Sequence, residues 1–347
     1  MTVATAPKKA TTNLIGLEKS DYRGLETTLC QGCGHNSIVS QIVAVCFELS
    51  IPPEQLIKVS GIGCSSKAPA YFMNRAHGFN GLHGRMPSAA TGAILANHSM
   101  RAIGMSGDGD TANIGMGQFK HMVRRNVPMV YIVANNGVYG LTKGQFSATA
   151  EQGLELKKGL QNKLPPIDIC LEALIGGASF VARSFAGDPR QLSTLLKAAL
   201  AHKGTAVLDV ISPCVIFNNK DESPKSYAWG REHEEPLHDL TYVPERDEIV
   251  ISYEPGEITS VAFADGSSLR LKKIEVDHDP TSRLAALTLI EESRTQGTFV
   301  TGLIYVNPTQ PTFVEISGLG TTPLARLTPA QMRPTEETLR DINARFA

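Results

Sequence analysis

Several ingredients of common binding surfaces are scarce in this chain. Aromatic residues make up 6% of its 347 residues, with one tryptophan, and no dense basic run occurs. Lysine and arginine (33) nearly balance aspartate and glutamate (34), leaving a net charge of −1. A nucleic-acid surface needs a basic footprint with stacking rings, and a membrane surface held by charge needs a similar excess of cations. Neither class of partner is expected. The longest apolar runs are strand-length, far short of the roughly 20 residues that span a bilayer. Internal repeats and low-complexity segments are also missing. The opening "MTVATAPKKATTN" lacks the charged-then-apolar order of a secretion signal, which predicts that this stretch is a short disordered tail on a cytoplasmic protein.

Cysteine is sparse as well: Cys30, Cys33, Cys46, Cys64, Cys170 and Cys214 are the six in the chain. Without an export signal a disulfide framework is not expected, and metal or redox chemistry gains weight. Cys46 in "IVSQIVAVCFEL" and Cys170 in "PPIDICLEALIGG" fall on apolar helical faces, where a thiol serves as a small buried hydrophobe. The other four lie among glycine, serine and proline. The sharpest case is "TLCQGCGHNS", a C-x-x-C pair just before a helical pattern. Alone, this pair fits zinc, a redox dithiol or half of an iron–sulfur site.

What the chain does have is alternation. "HNSIVSQIVAVCFEL", "PSAATGAILANHSM", "TANIGMGQFKHMVRRN" and "DPRQLSTLLKAALAHK" read as helices, the last with Asp188 as N-cap. Between them "LIKVSGIG", "RAIGMSG", "PMVYIVANN", "ASFVARS" and "GTAVLDVIS" read as strands. Strands and helices alternating at this length predict an α/β fold, a mostly parallel sheet covered by helices on both faces. Composition shifts after Cys214. "FNNKDESPKSYAWGREHEEPLHD" reads as a polar linker. Beyond it "ITSVAFADG", "TFVTGLIYV" and "TFVEI" read as short strands, and "SRLAALTLIEESR" and "PTEETLRDINARFA" as helices. The expected division is a tail over 1–26, a main domain over 27–215, and a linker with a small C-terminal partner-contact region over 216–347.

Two motifs sit at strand ends. "GDGDTANIG" follows "RAIGMS", and "NNGVYG" follows "PMVYIVA", with one helix between. A crossover of this kind brings the two strand ends side by side, so the carboxylate of Asp108, the amide oxygen of Asn136 and a nearby backbone carbonyl converge. Such a hard-oxygen set suits Mg²⁺ completed by phosphate oxygens and water. Gly107 and Gly109 let backbone approach closely, and a helix starting near Thr111 can point N–H groups at phosphate. No G-x-x-x-x-G-K-[ST] loop occurs, and "GIGCSS" fails the third glycine of a dinucleotide fingerprint.

GDGD followed by NN resembles the diphosphate–Mg²⁺ motif of thiamine diphosphate enzymes. With "CQGCGH", "GIGCSSK", "HGRMPSAATG" and the late "ISPC", residues from Thr27 to Cys214 resemble the β subunit of two-subunit 2-oxoacid:ferredoxin oxidoreductases. The resemblance implies a thiamine diphosphate-binding fold of the diphosphate-binding kind. It implies Mg²⁺ on Asp108, Asn136 and the backbone oxygen of Val138, and one [4Fe–4S] cluster on Cys30, Cys33, Cys64 and Cys214. Ile62, Gly63, Cys64, Ser65, His83, Gly107, Gly109, Asp110, Gly140 and Leu141 would border the cofactor. Lys67 is a candidate for attracting a substrate carboxylate, Arg85 for a cofactor or partner contact, and His35 for packing beside the cysteine loop.

The implied reaction is oxidative decarboxylation of a 2-oxo acid with coenzyme A, 2-oxoglutarate favoured over pyruvate or a broad range, with ferredoxin taking the electrons. A larger α subunit would supply the carboxylate at the aminopyrimidine ring and most of the coenzyme A site, in a dimer of heterodimers. A non-redox thiamine enzyme and a zinc-binding scaffold are the competing classes. The first needs a pyrimidine-binding domain, and the second leaves "GDGD" and "NN" without a role.

Overall fold

The computed structural model describes residues 12–156, 159–218, 225–236, 238–241, 258–262, 268–273 and 278–346. Its main sheet contains β1 (Leu56–Ser60), β2 (His77–Asn80), β3 (Arg101–Gly107), β4 (Met129–Asn135), β5 (Phe180–Phe185), β6 (Thr205–Ile211), β7 (Glu234–Pro236) and β8 (Phe299–Val306). Their order across the sheet is β2-β1-β3-β4-β6-β5-β8-β7. The pairing of β8 with β5 is antiparallel, and the other neighbours run parallel. Such a sheet must be buried on both faces, and β4 is buried at every position. Val130, Ile132 and Ala134 point into one apolar cluster with α1 (Gly34–Glu48) and α5 (Pro189–Ala201). Met129, Tyr131 and Val133 point into the other. There they meet α2 (Met86–Ala96), α3 (Met116–Arg124), α4 (Ile169–Gly176) and α7 (Arg283–Gln296). The period of two along the strand thus assigns each face its own core.

The caps follow local chemistry. Asp188 accepts from the N–H groups of Arg190 and Gln191, both at 3.1 Å, ahead of Pro189 at the first helical position. Cys46 and Cys170 are buried in the two cores as expected.

Four adjacent strands set up the site, because β1, β3, β4 and β6 are parallel neighbours and end on one edge. Gly107 is in register with Ala134, and Asn135 with Ile211. The chain leaving β1 reaches Cys64, that leaving β3 reaches Asp108, that leaving β4 reaches Asn136, and that leaving β6 reaches Cys214.

Several expectations need correction. Within the segment set apart as a tail over 1–26, Tyr22 is buried against α1, its ring edge-on to Phe47 and its hydroxyl accepting from Asn13 Nδ2 at 2.7 Å. Residues 1–11 lie outside the described residues. The polar stretch after Cys214 contains α6 (Tyr227–His233) and β7, while 219–224 and 237 lie outside the description. β8 and α7 extend the main sheet and its helical layer, so the fold continues past the boundary expected at 215. The separate antiparallel sheet of His238–Thr241, Ser268–Lys273 and Ile258–Ala262 lies within that C-terminal region, and the end of the strand expected over "ITSVAFADG" lies outside the described residues. "TFVEI" is not a strand but a helical turn, Phe313–Ile316, held by a capping box between Thr312 and Glu315. The helix expected from Thr111 is split: a π-helical turn, Asp110–Ile114, precedes α3.

A candidate cofactor site at the carboxyl edge of the sheet

Asp108 is 2% exposed, and a carboxylate so far from water needs donors. Its Oδ2 accepts from Gly137 N at 3.0 Å and from the Thr149 hydroxyl at 2.5 Å. Its Oδ1 takes a longer bond, 3.4 Å, from Asn136 N. The Asn136 amide oxygen accepts from Val138 N at 3.0 Å. The backbone of the turn at Asn136 and Gly137 is thus tied to the Asp108 carboxylate, and the Asn136 amide oxygen closes the same turn onto Val138. Asn218 closes the turn from outside, donating to the Asn136 carbonyl at 2.8 Å.

Asp110 is buried too, but both of its oxygens are engaged within the chain. Gly84 N donates to Oδ1 at 2.7 Å and the Ser106 hydroxyl to Oδ2 at 2.9 Å. Its work is to fasten the His83–Arg85 loop to the sheet edge. His83 and Arg85 are exposed, and no hydrogen bond among the described residues ties either side chain to the site. Tyr139 donates to the Gly109 carbonyl at 2.9 Å and covers that glycine. Burial, then the carboxylates of Asp108 and Asp110, push its phenol up to about 12, so it stays a neutral donor.

Gly63, at φ +102, turns the chain from β1 into the 3₁₀ turn Cys64–Ala70. Ser65 in that turn is buried, and its hydroxyl has no hydrogen-bond partner. It faces Gly107, where a side-chain carbon would stand 3.2 Å away, next to the Ile62 carbonyl. An orphaned buried hydroxyl beside bare backbone is a place for a ligand's polar group. These residues fit a diphosphate held between the β1 and β3 loops.

The cysteines gather at the same edge. A side-chain carbon on Gly140 would lie 3.6 Å from both the Cys64 and Cys214 sulfurs, which puts those sulfurs within twice that distance of each other. Burial first, then the charges of Cys214, Cys64 and Cys30, push the Cys33 thiol up to about 11. Cys64 is raised by burial and by Cys214, against a lowering pull from Lys67. All six cysteines are free, and Cys30 is the exposed member of the group. Among the described residues, no three His, Cys, Asp or Glu side chains are close enough to share one metal ion. Thiolates on a single tetrahedral zinc would stand about 3.8 Å apart for a Zn–S bond of about 2.3 Å. Cys30, Cys64 and Cys214 lie near enough to Cys33 to act on its thiol. Leu141, 52% exposed, continues the rim beyond Gly140.

The C-x-x-C loop reaches Cys214 through a clamp that sequence reading missed. His35 Nδ1 is 2.6 Å from the Ser212 hydroxyl, and Gly34 N donates to the Pro213 carbonyl at 3.3 Å. Any side chain at position 34 would meet Ser212 Oγ at 2.6 Å, so the close approach needs glycine. Tyr227 of α6 adds a bond from its hydroxyl to the Gly32 carbonyl at 3.2 Å. The buried Thr149 and Asn218 were also missed, because no periodicity or motif marks their side chains.

With this geometry in view, the comparisons are specific. Residues 61–210 match the thiamine pyrophosphate enzyme C-terminal TPP binding domain, so this is a thiamine pyrophosphate-binding domain of α/β class. A 2-oxoacid:ferredoxin oxidoreductase subunit beta from Saccharolobus solfataricus is 42% identical over 55% of this chain and 63% of that relative. The corresponding subunit beta of oxidoreductase 1 from Aeropyrum pernix is 36% identical over 82% of this chain and 80% of its own. The solved 2-oxoglutarate:ferredoxin oxidoreductase of Magnetococcus marinus, with 2-oxoglutarate, coenzyme A and succinyl-CoA bound, superposes with a TM-score of 0.73. That match covers 95% of this chain and 96% of the other at 29% identity. The chain belongs to the β-subunit family of the 2-oxoacid:ferredoxin oxidoreductases. Among the described residues no helix is long and apolar enough to cross a membrane.

The buried imidazole of His35 gives a direct check on the clamp. Burial lowers it from an ordinary value of 6.5 to about 4, so it is neutral in the fold and gains its proton on unfolding. Its stabilising share is complete above pH 6.5 and is lost as pH falls through about 4. In that window His35→Gln should flatten the stability–pH slope by about one proton's worth, near 1.4 kcal/mol per pH unit. Urea denaturation of both proteins at a series of pH values measures this, and parallel slopes would mean that His35 is protonated in the fold.

Proposed function

We propose that this chain is the β subunit of an enzyme that oxidatively decarboxylates a 2-oxo acid, 2-oxoglutarate foremost. Coenzyme A would take the acyl group to give succinyl-CoA and CO₂, and two electrons would pass through one [4Fe–4S] cluster to ferredoxin. The observation that carries the reading is the convergence of Cys64 and Cys214 on Gly140, four residues along the chain from Asn136. A diphosphate cradle and thiols at one edge of the sheet suit a chemistry in which the bound cofactor would give up electrons.

Thiamine diphosphate, when bound, supplies carbanion stabilisation and an electron sink. The chain's own residues do the holding. Asp108, the Asn136 side chain and the Val138 carbonyl would ligand Mg²⁺, a hard-oxygen set of the kind that ion prefers. Ser65 and the backbone around Ile62, Gly63, Gly107 and Gly109 would take the diphosphate, with Leu141 at the rim. Cys30, Cys33, Cys64 and Cys214 would hold the cluster as thiolates, so loading it must expel protons, from the raised Cys33 thiol above all. The exposed Cys30 corner is where electrons would leave. A separate α subunit would complete the site with the pyrimidine-side carboxylate and the coenzyme A pocket, in a dimer of heterodimers. A cytoplasmic setting, where thiols stay reduced, fits the free cysteines.

Support for 2-oxoglutarate is the fold-wide likeness to the Magnetococcus marinus enzyme, whose solved structure holds that acid. Lys67, in the turn that begins at Cys64 and close enough to lower its thiol, is the cation offered to the substrate's distal carboxylate. Charged hydrogen bonds contribute about 1.5–3 kcal/mol, so Lys67→Ala should lower kcat/KM for 2-oxoglutarate by about ten- to a hundredfold. The value for pyruvate should hardly change. Equal losses on both acids, or none on either, would remove that role.

The cluster itself is tested by metal analysis of anaerobically purified protein. About four irons with matching acid-labile sulfide per chain are expected. Stoichiometric zinc without iron would instead support a scaffold and defeat the redox reading.

A further inference from the structure

Beyond the ligands themselves, a buried polar chain runs from the far side of the sheet to the back of Asp108. Arg183 on β5 is buried and donates through Nη2 to both Asp168 oxygens, at 2.7 and 2.6 Å, while Asp168 caps α4 through Leu171 N at 2.9 Å. The same guanidinium donates through Nε to Asp209 Oδ2 on β6 at 3.0 Å. Asp209 Oδ1 accepts from Asn135 Nδ2 at the end of β4, 2.9 Å away. Asn135 Oδ1 then lies 3.0 Å from the Thr149 hydroxyl, which reaches Asp108 Oδ2 at 2.5 Å. The hydroxyl's single proton lies between two acceptors and leans to the shorter, charged one. The carbonyl of Thr149 is itself held by Lys225 Nζ at 2.8 Å, so its loop is fixed from both sides.

This arrangement divides the carboxylate's labour. Oδ2 has two short donors, whereas Oδ1 has one bond at 3.4 Å. We infer that Thr149 and Asn135 are positioning residues that hold Asp108 by Oδ2 and leave Oδ1 to face a divalent cation. The two asparagines of "NN" then differ: Asn135 turns its side chain to Asp209 and Thr149, whereas the Asn136 amide oxygen closes onto Val138 N in the exit turn. Oxygen ligands need such outer partners to fix their direction, and partners built on strands hold it best. The inference rests on the reading that Asp108 ligands Mg²⁺.

The test titrates Mn²⁺, a spectroscopic stand-in for Mg²⁺, into the full chain with thiamine diphosphate present. The loss of the free-ion paramagnetic resonance signal reports binding without any turnover. Thr149→Val, which removes the hydroxyl at nearly constant volume, should raise the Mn²⁺ dissociation constant by about 10- to 100-fold. Thr149→Ser restores the hydroxyl and should stay within about threefold of the parent. Asn135→Ala should shift affinity in the same direction as Thr149→Val, and it carries the comparison if Thr149→Val does not fold. Parent-like binding by a folded Thr149→Val, or equal losses in the serine and valine proteins, would overturn the inference while leaving Mg²⁺ on Asp108 intact. A parent chain that takes up no Mn²⁺ would overturn both.

Discussion

A carboxylate buried at the end of a parallel strand has to be compensated, and the neighbourhood of Asp108 is organised around that need. Water is excluded, so the donors come from the loop after β4 and from Thr149. Those bonds fold the "NNGVYG" turn over the end of β3, and the turn in turn presents Gly140 to the cysteines. The parallel register of β3 and β4 makes this possible, since only side-by-side carboxyl ends let one strand's exit loop donate to the next strand's acid. The bonds from Tyr139 to the Gly109 carbonyl and from Asn218 to the Asn136 carbonyl hold the same turn in place.

The thiol cluster depends on a second set of ties. The C-x-x-C loop precedes α1, on one face of the sheet, and Cys214 follows β6. They meet because His35 and Gly34 lock onto Ser212 and Pro213. α6 then seals the loop with Tyr227, while its Trp229 stacks on Phe299 of β8 at 5.4 Å. The C-terminal region therefore does two jobs: it extends the sheet through β8, and through α6 it backs the cysteine loop.

Much of this was legible in the residues. The alternation of apolar strands with capped helices specified the parallel sheet, because a strand buried on both faces reads as a continuous apolar run. "GDGD" and "NN" marked the two strand ends that meet. The failures have physical causes. "TFVEI" has strand-like residues, but two reciprocal capping bonds, at 2.6 and 3.3 Å, outweigh that weak preference in so short a segment. β2, "HGFN", is an exposed edge strand with no alternation to read. α6 forms in a polar stretch because its aromatic rings pack on Phe185 and Phe299, contacts far apart in sequence. Thr149 and Asp209 carry no motif, since their importance arises from meeting Asn135 from positions 14 and 74 residues away. The ties from the Asp110 carboxylate to Gly84 N and the Ser106 hydroxyl likewise join segments 26 and 4 residues away and were not legible from "GDGD".

The central claim is that the cradle and the thiol cluster serve one electron path. The direct measurement is paramagnetic resonance of the anaerobic chain assembled with its partner subunit and frozen after 2-oxoglutarate is added. A reduced [4Fe–4S] signal should appear only when thiamine diphosphate and Mg²⁺ are also present. A cluster whose signal ignores the 2-oxo acid, or a site that holds no iron, would contradict it.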